Sequence, residues 1–390
     1  RCTIAHLQAA RGELTLSRRT VEGVAAEAAQ WRSDMPYLQL AMELARGTGL
    51  ALAGDLVGID AIVAAEFADL ADAGDFRLGS GYLSILRAQA ARLRGQTGEA
   101  LRTSLSACAI LATSPVFAGL AHAERAQAAA MRGDVESAVE AMAESDRAHS
   151  SGMAILYPWL EQARAAVRAA SGDVTGAVAL LRDLVNRLQA EGFAGHEVLA
   201  LYELVRLGRA DLEVGEPTMT GTRQNVTQRL GELSERVDGA LPALMARHAR
   251  AEYTHSGDDL LAVANDFAEL ELNVFAVEAT SRAVSRLRAA RSSRSHEANL
   301  RLAELLRRCD VLRTPTLTVR QPALTERERQ IARLAAQGLA SRNIAEQLYI
   351  SVRTVENHLQ RVYNKLGVTG RGELRPALRA LSDLEADPGR

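Results

Sequence analysis

Residues 94–101 read RGQTGEAL, residues 132–139 RGDVESAV and residues 171–178 SGDVTGAV. In each copy a glycine (Gly95, Gly133, Gly172) stands five residues before an alanine (Ala100, Ala138, Ala177) and seven after another (Ala88, Ala126, Ala165). The glycines are 38 and 39 residues apart, and long runs of helix-forming residues flank each one. Such a unit reads as helix, turn, helix. Glycine supplies the turn conformation that bulkier residues resist, and a small alanine lets the paired helices approach closely.

Outward from these copies the pattern continues in weaker form. Gly257 keeps the following Ala262, and Ser293 stands in for the glycine before Ala298. Gly12, Gly54 and Gly215 fall near the same period without the alanine rule. About seven helical hairpins are expected over residues 1–309. In spacing and small residues the pattern resembles tetratricopeptide-like repeats, although that family's signature aromatics are mostly missing and aromatics make up only 4% of the chain. The resemblance implies an all-α solenoid with an extended concave face for an unknown small-molecule or protein effector. The competing role is a spacer or an oligomerisation arm.

With 390 residues, 47% hydrophobic and 24% charged, the chain is long enough for more than one domain. Its formal net charge of −2 conceals an uneven distribution. Residues 320–380 hold eleven Arg or Lys and five Asp or Glu, a balance of +6 that leaves −8 for the rest. The three cysteines, Cys2, Cys108 and Cys309, match no metal-ligand or redox spacing, which fits free thiols in a reducing, cytoplasmic setting. Residues 103–123 carry no charge, but their Ser, Thr, Pro and His residues argue for a helix pair turning at Ser114-Pro115 and against a membrane span. Lys365 is the single lysine against 45 arginines, a bias that carries no function. The first residue is Arg, so the chain is expected to be a piece of something longer.

No enzyme is expected. The only lysine precedes Leu366, which excludes a phosphate-binding P-loop. The histidines are scattered; His248 and His255 could share a helix face, but no carboxylate or cysteine cluster completes a metal site, and no nucleophile constellation appears. Neither cofactor nor metal is expected.

Residues 310–323, DVLRTPTLTVRQPA, break helical periodicity with two prolines and read as a linker. Thr325-Glu326-Arg327-Glu328 is then a capping box opening a helix whose buried stripe is Ile331, Leu334 and Ala335, and which Gly338 is placed to end. Ser341 or Ala340 opens a second short helix with Ile344, Ala345 and Leu348 facing inward. Residues 349–351, YIS, make the turn, and Ser351 caps a third helix. On that helix Val355, Leu359, Val362 and Leu366 form an apolar stripe, while Arg353, Asn357, Gln360 and Asn364 repeat the same spacing on a polar face. Three short helices with a tight turn before the third make a helix-turn-helix, whose last helix enters the DNA major groove.

These residues resemble the LuxR-type (GerE-like) DNA-binding domain over about 50 consecutive positions, from Leu324-Thr325 through Ile344-Ala345, Ser351, Thr354-Val355 and His358 to Lys365-Leu366-Gly367-Val368 and Arg371. The resemblance implies base-reading roles for Glu356, Asn357 and Gln360, to which helix geometry adds Arg353. It implies phosphate contacts for Arg342, Thr354, Arg361, Lys365 and Arg371. His358, at the edge of the apolar stripe, reads as a structural or backbone-contact residue. Ala340 stands where the family usually has Ser or Thr, and Asn343 replaces a usual acid. Gly372 and Pro376 fall in the expected fourth helix and weigh against dimerisation through it.

Helical repeats followed by such a domain resemble the large ATP-binding LuxR regulators of the maltose-regulon-activator class, here without a nucleotide-binding module; residues 201–213, LYELVRLGRADLE, are similar to a segment common among them. Receiver and autoinducer-binding arrangements need alternating strands and helices, which residues 1–309 lack. The expectation is therefore a sensor or partner domain (1–309), a linker (310–323), a helix-turn-helix domain (324–382) and a tail (383–390). Its function would be sequence-specific binding of double-stranded DNA as a homodimer, with activation through RNA polymerase and without a membrane. The alternative is a repeat scaffold whose terminal domain is a non-specific DNA or protein anchor.

Overall fold

The three repeat glycines all take left-handed backbone, with φ of +81° at Gly95, +80° at Gly133 and +88° at Gly172. The alanines around them are buried, five of the six fully so: Ala88, Ala100, Ala126, Ala138 and Ala177 at 0% exposure. The sequence rule thus marks a real turn and a real helix contact.

The computed structural model describes residues 1–31, 38–73, 77–114, 117–148, 155–215, 223–318, 324–366, 370–375 and 378. Within them run sixteen helices before the linker: α1 (Cys2–Ala10), α2 (Leu14–Trp31), α3 (Leu38–Ala53), α4 (Leu56–Ala73), α5 (Arg77–Leu93), α6 (Thr97–Leu111), α7 (Ala118–Arg132), α8 (Val135–Ala148), α9 (Tyr157–Ala170), α10 (Val174–Glu191), α11 (Ala194–Arg206), α12 (Val226–Arg236), α13 (Ala240–Tyr253), α14 (Gly257–Glu269), α15 (Asn273–Ala289) and α16 (Ser295–Leu306). A short antiparallel pair, β1 (Glu213–Val214) and β2 (Gln224–Asn225), joins α11 to α12. Three more helices follow: α17 (Glu326–Ala336), α18 (Ser341–Leu348) and α19 (Val352–Leu366). Among the described residues no helix is long and apolar enough to cross a membrane.

The fold is all-α, a helical-hairpin solenoid followed by a helix-turn-helix domain. Among the described residues α1–α16 make eight helix pairs where about seven hairpins are expected, and three of the weak copies are out of place. His255, with φ of +56°, takes the turn position in the α13–α14 step, so Gly257 instead begins α14 and Ala262 is exposed. The small position five residues past the turn is held by Leu260, fully buried. Arg291 (φ +53°) makes the α15–α16 turn two residues before Ser293, although Ala298 is buried as expected. Gly215 follows β1 rather than a helix, whereas Gly192 and Gly208 are the left-handed residues that end α10 and α11. The turn expected at Ser114-Pro115 falls between α6 and α7; Ser114 Oγ accepts from the Phe117 amide at 3.2 Å, and Pro115 lies outside the described residues.

The chain divides into two compact units, Arg1–Ala279 with Arg308–Thr318, and Thr280–Arg307 with Val319–Arg390. This division cuts across the boundary expected after residue 309, and most of the segment read as a linker belongs to the repeat unit. In that unit the odd-numbered helices α1 to α13 pack in succession, and α11 also touches α1 and α3 while α13 touches α3. The superhelix therefore turns back on its own beginning. The returning chain packs over the first turns: the Asp238 amide donates to Gly12 O at 2.9 Å, and a Cβ at Gly12 or Gly54 would strike Val237 or Leu241.

Candidate nucleic-acid interface

The second unit builds its helix-turn-helix from caps outward. Thr325 Oγ1 accepts from the Glu328 amide at 3.2 Å, and the Glu328 carboxylate accepts from the Thr325 amide at 2.8 Å, completing the capping box. Gly338, at φ +92°, ends α17, with its amide donating to Ala335 O and that of Leu339 to Leu334 O. Ala340 is the N-cap of α18 and offers no side-chain bond. Ser341 does not replace it as a cap; its hydroxyl accepts from Arg371 Nη2 at 3.0 Å. Arg371 Nη1 also donates to Leu339 O at 2.6 Å, so this guanidinium ties the α17–α18 turn from below.

Tyr349, at φ +53°, closes α18 in left-handed conformation and leaves its side chain 96% exposed. Arg327 Nη2 donates to Leu348 O at 2.7 Å, satisfying a carbonyl that the end of α18 would otherwise leave open. Ser351 then caps α19 as expected, its Oγ accepting from the Thr354 amide at 3.0 Å.

Beneath the turns lies one apolar cluster of Leu324, Ile331, Ala332, Ala335, Ile344, Ala345, Val355, Leu359, Val362 and Leu374. Val355, Leu359 and Val362 thus occupy the buried side of α19, while the side chain of Leu366 lies outside the described residues. With that stripe inward, Arg353, Glu356, Asn357 and Gln360 all stand exposed on the other side of α19. The same geometry exposes Arg361, and half-buries Thr354, whose hydroxyl sits 2.7 Å from Ser351 Oγ. Arg342 is exposed on α18, with Glu346 at 3.4 Å. Lys365 is on α19, but its side chain, like that of Asn364, lies outside the described residues. His358 is half-buried with Nδ1 buried and unbonded, consistent with a packing role. Pro376 lies outside the described residues; Gly372 falls in a short 3₁₀ turn, Arg371–Glu373.

Arg327 escapes a motif reading, and Arg371, expected as a phosphate contact, has a further role: Arg327 donates to Leu348 O at the end of α18 and Arg371 to Leu339 O in the α17–α18 turn. For Arg327 the only sequence signal is position, since a helix end with no side-chain cap nearby needs a donor or acceptor from elsewhere.

Residues 322–375 match the family described as "Bacterial regulatory proteins, luxR family". The chain is 40% identical over 65 residues to "Spore germination protein GerE" of Bacillus subtilis, covering 88% of that protein and 17% of this one. This chain belongs to the luxR family of bacterial regulatory proteins. It is also 46% identical over 52 residues to the "Putative HTH-type transcriptional regulator Rv0890c" of Mycobacterium tuberculosis, 13% of this chain and 6% of that one. To the "Transcriptional regulatory protein UhpA" of Escherichia coli it is 47% identical over 55 residues, 28% of that protein. No solved structure matches the chain at a significant level. The luxR-family likeness is confined to the C-terminal segment, which the family assigns to DNA binding in transcriptional regulation.

Proposed function

We propose that this luxR-family chain is a sequence-specific transcription regulator in which α19 reads the DNA major groove and the helical repeats sense an effector or partner. The observation that carries the reading is the division of α19. Its apolar stripe is consumed by the domain's own core, and Arg353, Glu356, Asn357 and Gln360 stand together on the exposed side. Asn and Gln pair with adenine edges, Arg with guanine or phosphate, and Glu accepts from cytosine. Arg342, Thr354, Arg361 and Lys365 would hold phosphates, adding salt-sensitive affinity without sequence information.

Binding as a dimer to two half-sites and activation through RNA polymerase are what the family resemblance favours. Membership in the large ATP-binding class is supported by helical repeats ahead of the luxR segment.

The test is selection of bound sequences from a random duplex pool by the full chain, at two salt concentrations, beside an N357A/Q360A variant. A defined motif with the wild-type chain, lost in the variant while non-specific binding persists, is the expected result. Each bidentate base contact is worth about 1–3 kcal/mol of discrimination, so the loss should be about 5- to 150-fold per changed position. Wild-type binding with no motif at either salt concentration would make the domain an electrostatic anchor and the chain a scaffold.

A further inference from the structure

At the end of the repeat unit where α5, α7 and α11 finish, the mouth of the superhelix is already occupied. The segment Arg308–Thr318 crosses it as an extended strap ending in a 3₁₀ turn, Pro315–Thr318. Its Asp310 amide donates to Gly95 O at 2.8 Å, its Arg313 amide to Met131 O at 2.7 Å, and Thr316 Oγ1 to Arg206 O at 2.8 Å. These three acceptors lie at the ends of the inner helices α5, α7 and α11, where carbonyls lack intrahelical partners. The strap also lies on the repeat turns, since a Cβ at Gly95 would strike Cys309 Sγ and one at Gly133 would come within 2.7 Å of Arg313.

One contact of the strap stands in for a missing helix cap. After the repeat glycine, α8 and α10 start on Asp134 and Asp173, whose carboxylates accept from the Ser137 amide at 3.1 Å and the Gly176 amide at 2.8 Å. In the α5–α6 copy the same position is Gln96, which makes no cap bond. The missing carboxylate is supplied by the strap: Asp310 Oδ2 accepts from the Gly98 amide at 2.8 Å. Behind the strap stand two ion-paired arginines, Arg92 bidentate on Glu124 and Arg206 held by Glu203 and Glu278. The space left beside Thr314, Pro315 and Thr316 is about 50 Å³, room for a few water molecules only. An effector larger than that can occupy the space beside Thr314, Pro315 and Thr316 only in place of the strap.

We propose that this mouth is a peptide-binding site held in cis by residues 308–318. Its partner is an extended protein segment of the same chemistry, a carboxylate followed six residues later by a threonine hydroxyl. Exchange of the strap for that segment releases the stretch of chain that leads, a few residues on, to the capping box at Thr325.

The tethered strap competes at an effective concentration of about millimolar, so a free peptide should bind the intact chain poorly. The probe is a fluorescent peptide of residues 308–318, titrated by anisotropy into the wild-type chain and a D310A/T316V variant in which the strap anchors are removed. Binding at least about tenfold tighter to the variant, abolished when the peptide itself carries D310A, is the expected result. No binding to a variant whose circular dichroism remains helical overturns the proposal. Hydrogen exchange of the wild-type chain decides independently of any variant. The Asp310 and Arg313 amides should exchange about a hundredfold faster than those of α7, through local opening. Exchange of these amides only together with α7 would make the strap a fixed part of the fold, which also overturns the proposal. Neither measurement involves DNA, so its failure is separate from failure of the DNA-binding reading.

Discussion

Arg342 and Arg371 read alike from the sequence, as cations at phosphate-contact positions, and the fold gives them different work. Arg342 is exposed beside Glu346, an arrangement that contributes little to stability. Arg371 is half-buried and donates to Leu339 O and Ser341 Oγ, holding the turn from which α18 starts. Replacing either by alanine should weaken DNA binding. R342A should leave the melting temperature unchanged and lower the slope of log affinity against log salt by about 0.9, the signature of one lost phosphate contact. R371A should in addition destabilise the domain by about 2 kcal/mol, because charged hydrogen bonds to otherwise unpaired groups are lost. Thermal melts beside binding titrations at two salt concentrations separate the two. An R371A chain that melts normally but binds weakly would return Arg371 to the phosphate set.

Single elements were most legible where local chemistry dictates them. The capping box at Thr325 and Glu328, the Gly338 stop and the Ser351 cap are all formed by residues within a few positions of one another, so sequence alone contains their partners. T325A should accordingly cost about 1 kcal/mol, read as a lower denaturant midpoint for the C-terminal unit. The repeat turns at Gly95, Gly133 and Gly172 were legible for the same reason. The register slipped at Gly257 because His255 adopts a left-handed conformation usually left to glycine, and a Gly-to-Ala spacing rule passes over a histidine. What a spacing rule also omits is the neighbour across the turn. Gly95 and Gly172 look equivalent in sequence, but only Gly95 has the strap against it, while nothing lies within 4 Å of a Cβ at Gly172. G172A should therefore cost only the left-handed backbone penalty, about 1–2 kcal/mol, and G95A clearly more. Equal losses in urea unfolding would mean that the strap contributes nothing at that turn.

At the scale of the whole molecule, the sequence showed the uneven charge and the two kinds of helical region, but not the return of the superhelix onto its start. Each hairpin contributes a small rotation set by side-chain packing, and whether the sum brings α11 to α1 depends on contacts between residues nearly two hundred positions apart. Two histidines mark that closure. His6 on α1, with its Nδ1 3.4 Å from Thr48 Oγ1 of α3, is pushed by burial down to about 4. His196 on α11 is fully buried, edge-on to Trp159 with centroids 5.1 Å apart, and burial, with His6 nearby, takes it down to about 3. Both are neutral in the folded chain. Below their ordinary value of 6.5 the unfolded chain binds protons that the folded chain does not, so the stability they permit is complete above that pH and declines as pH falls toward 4. The urea midpoint of the full chain should therefore be flat above about pH 7 and fall steadily between about 6.5 and 4.5, before most carboxylates protonate. An H196F variant keeps an apolar ring at the seam and should flatten part of that decline. An unchanged pH profile in H196F would place the acid-sensitive step elsewhere than at the contact between α1, α3 and α11.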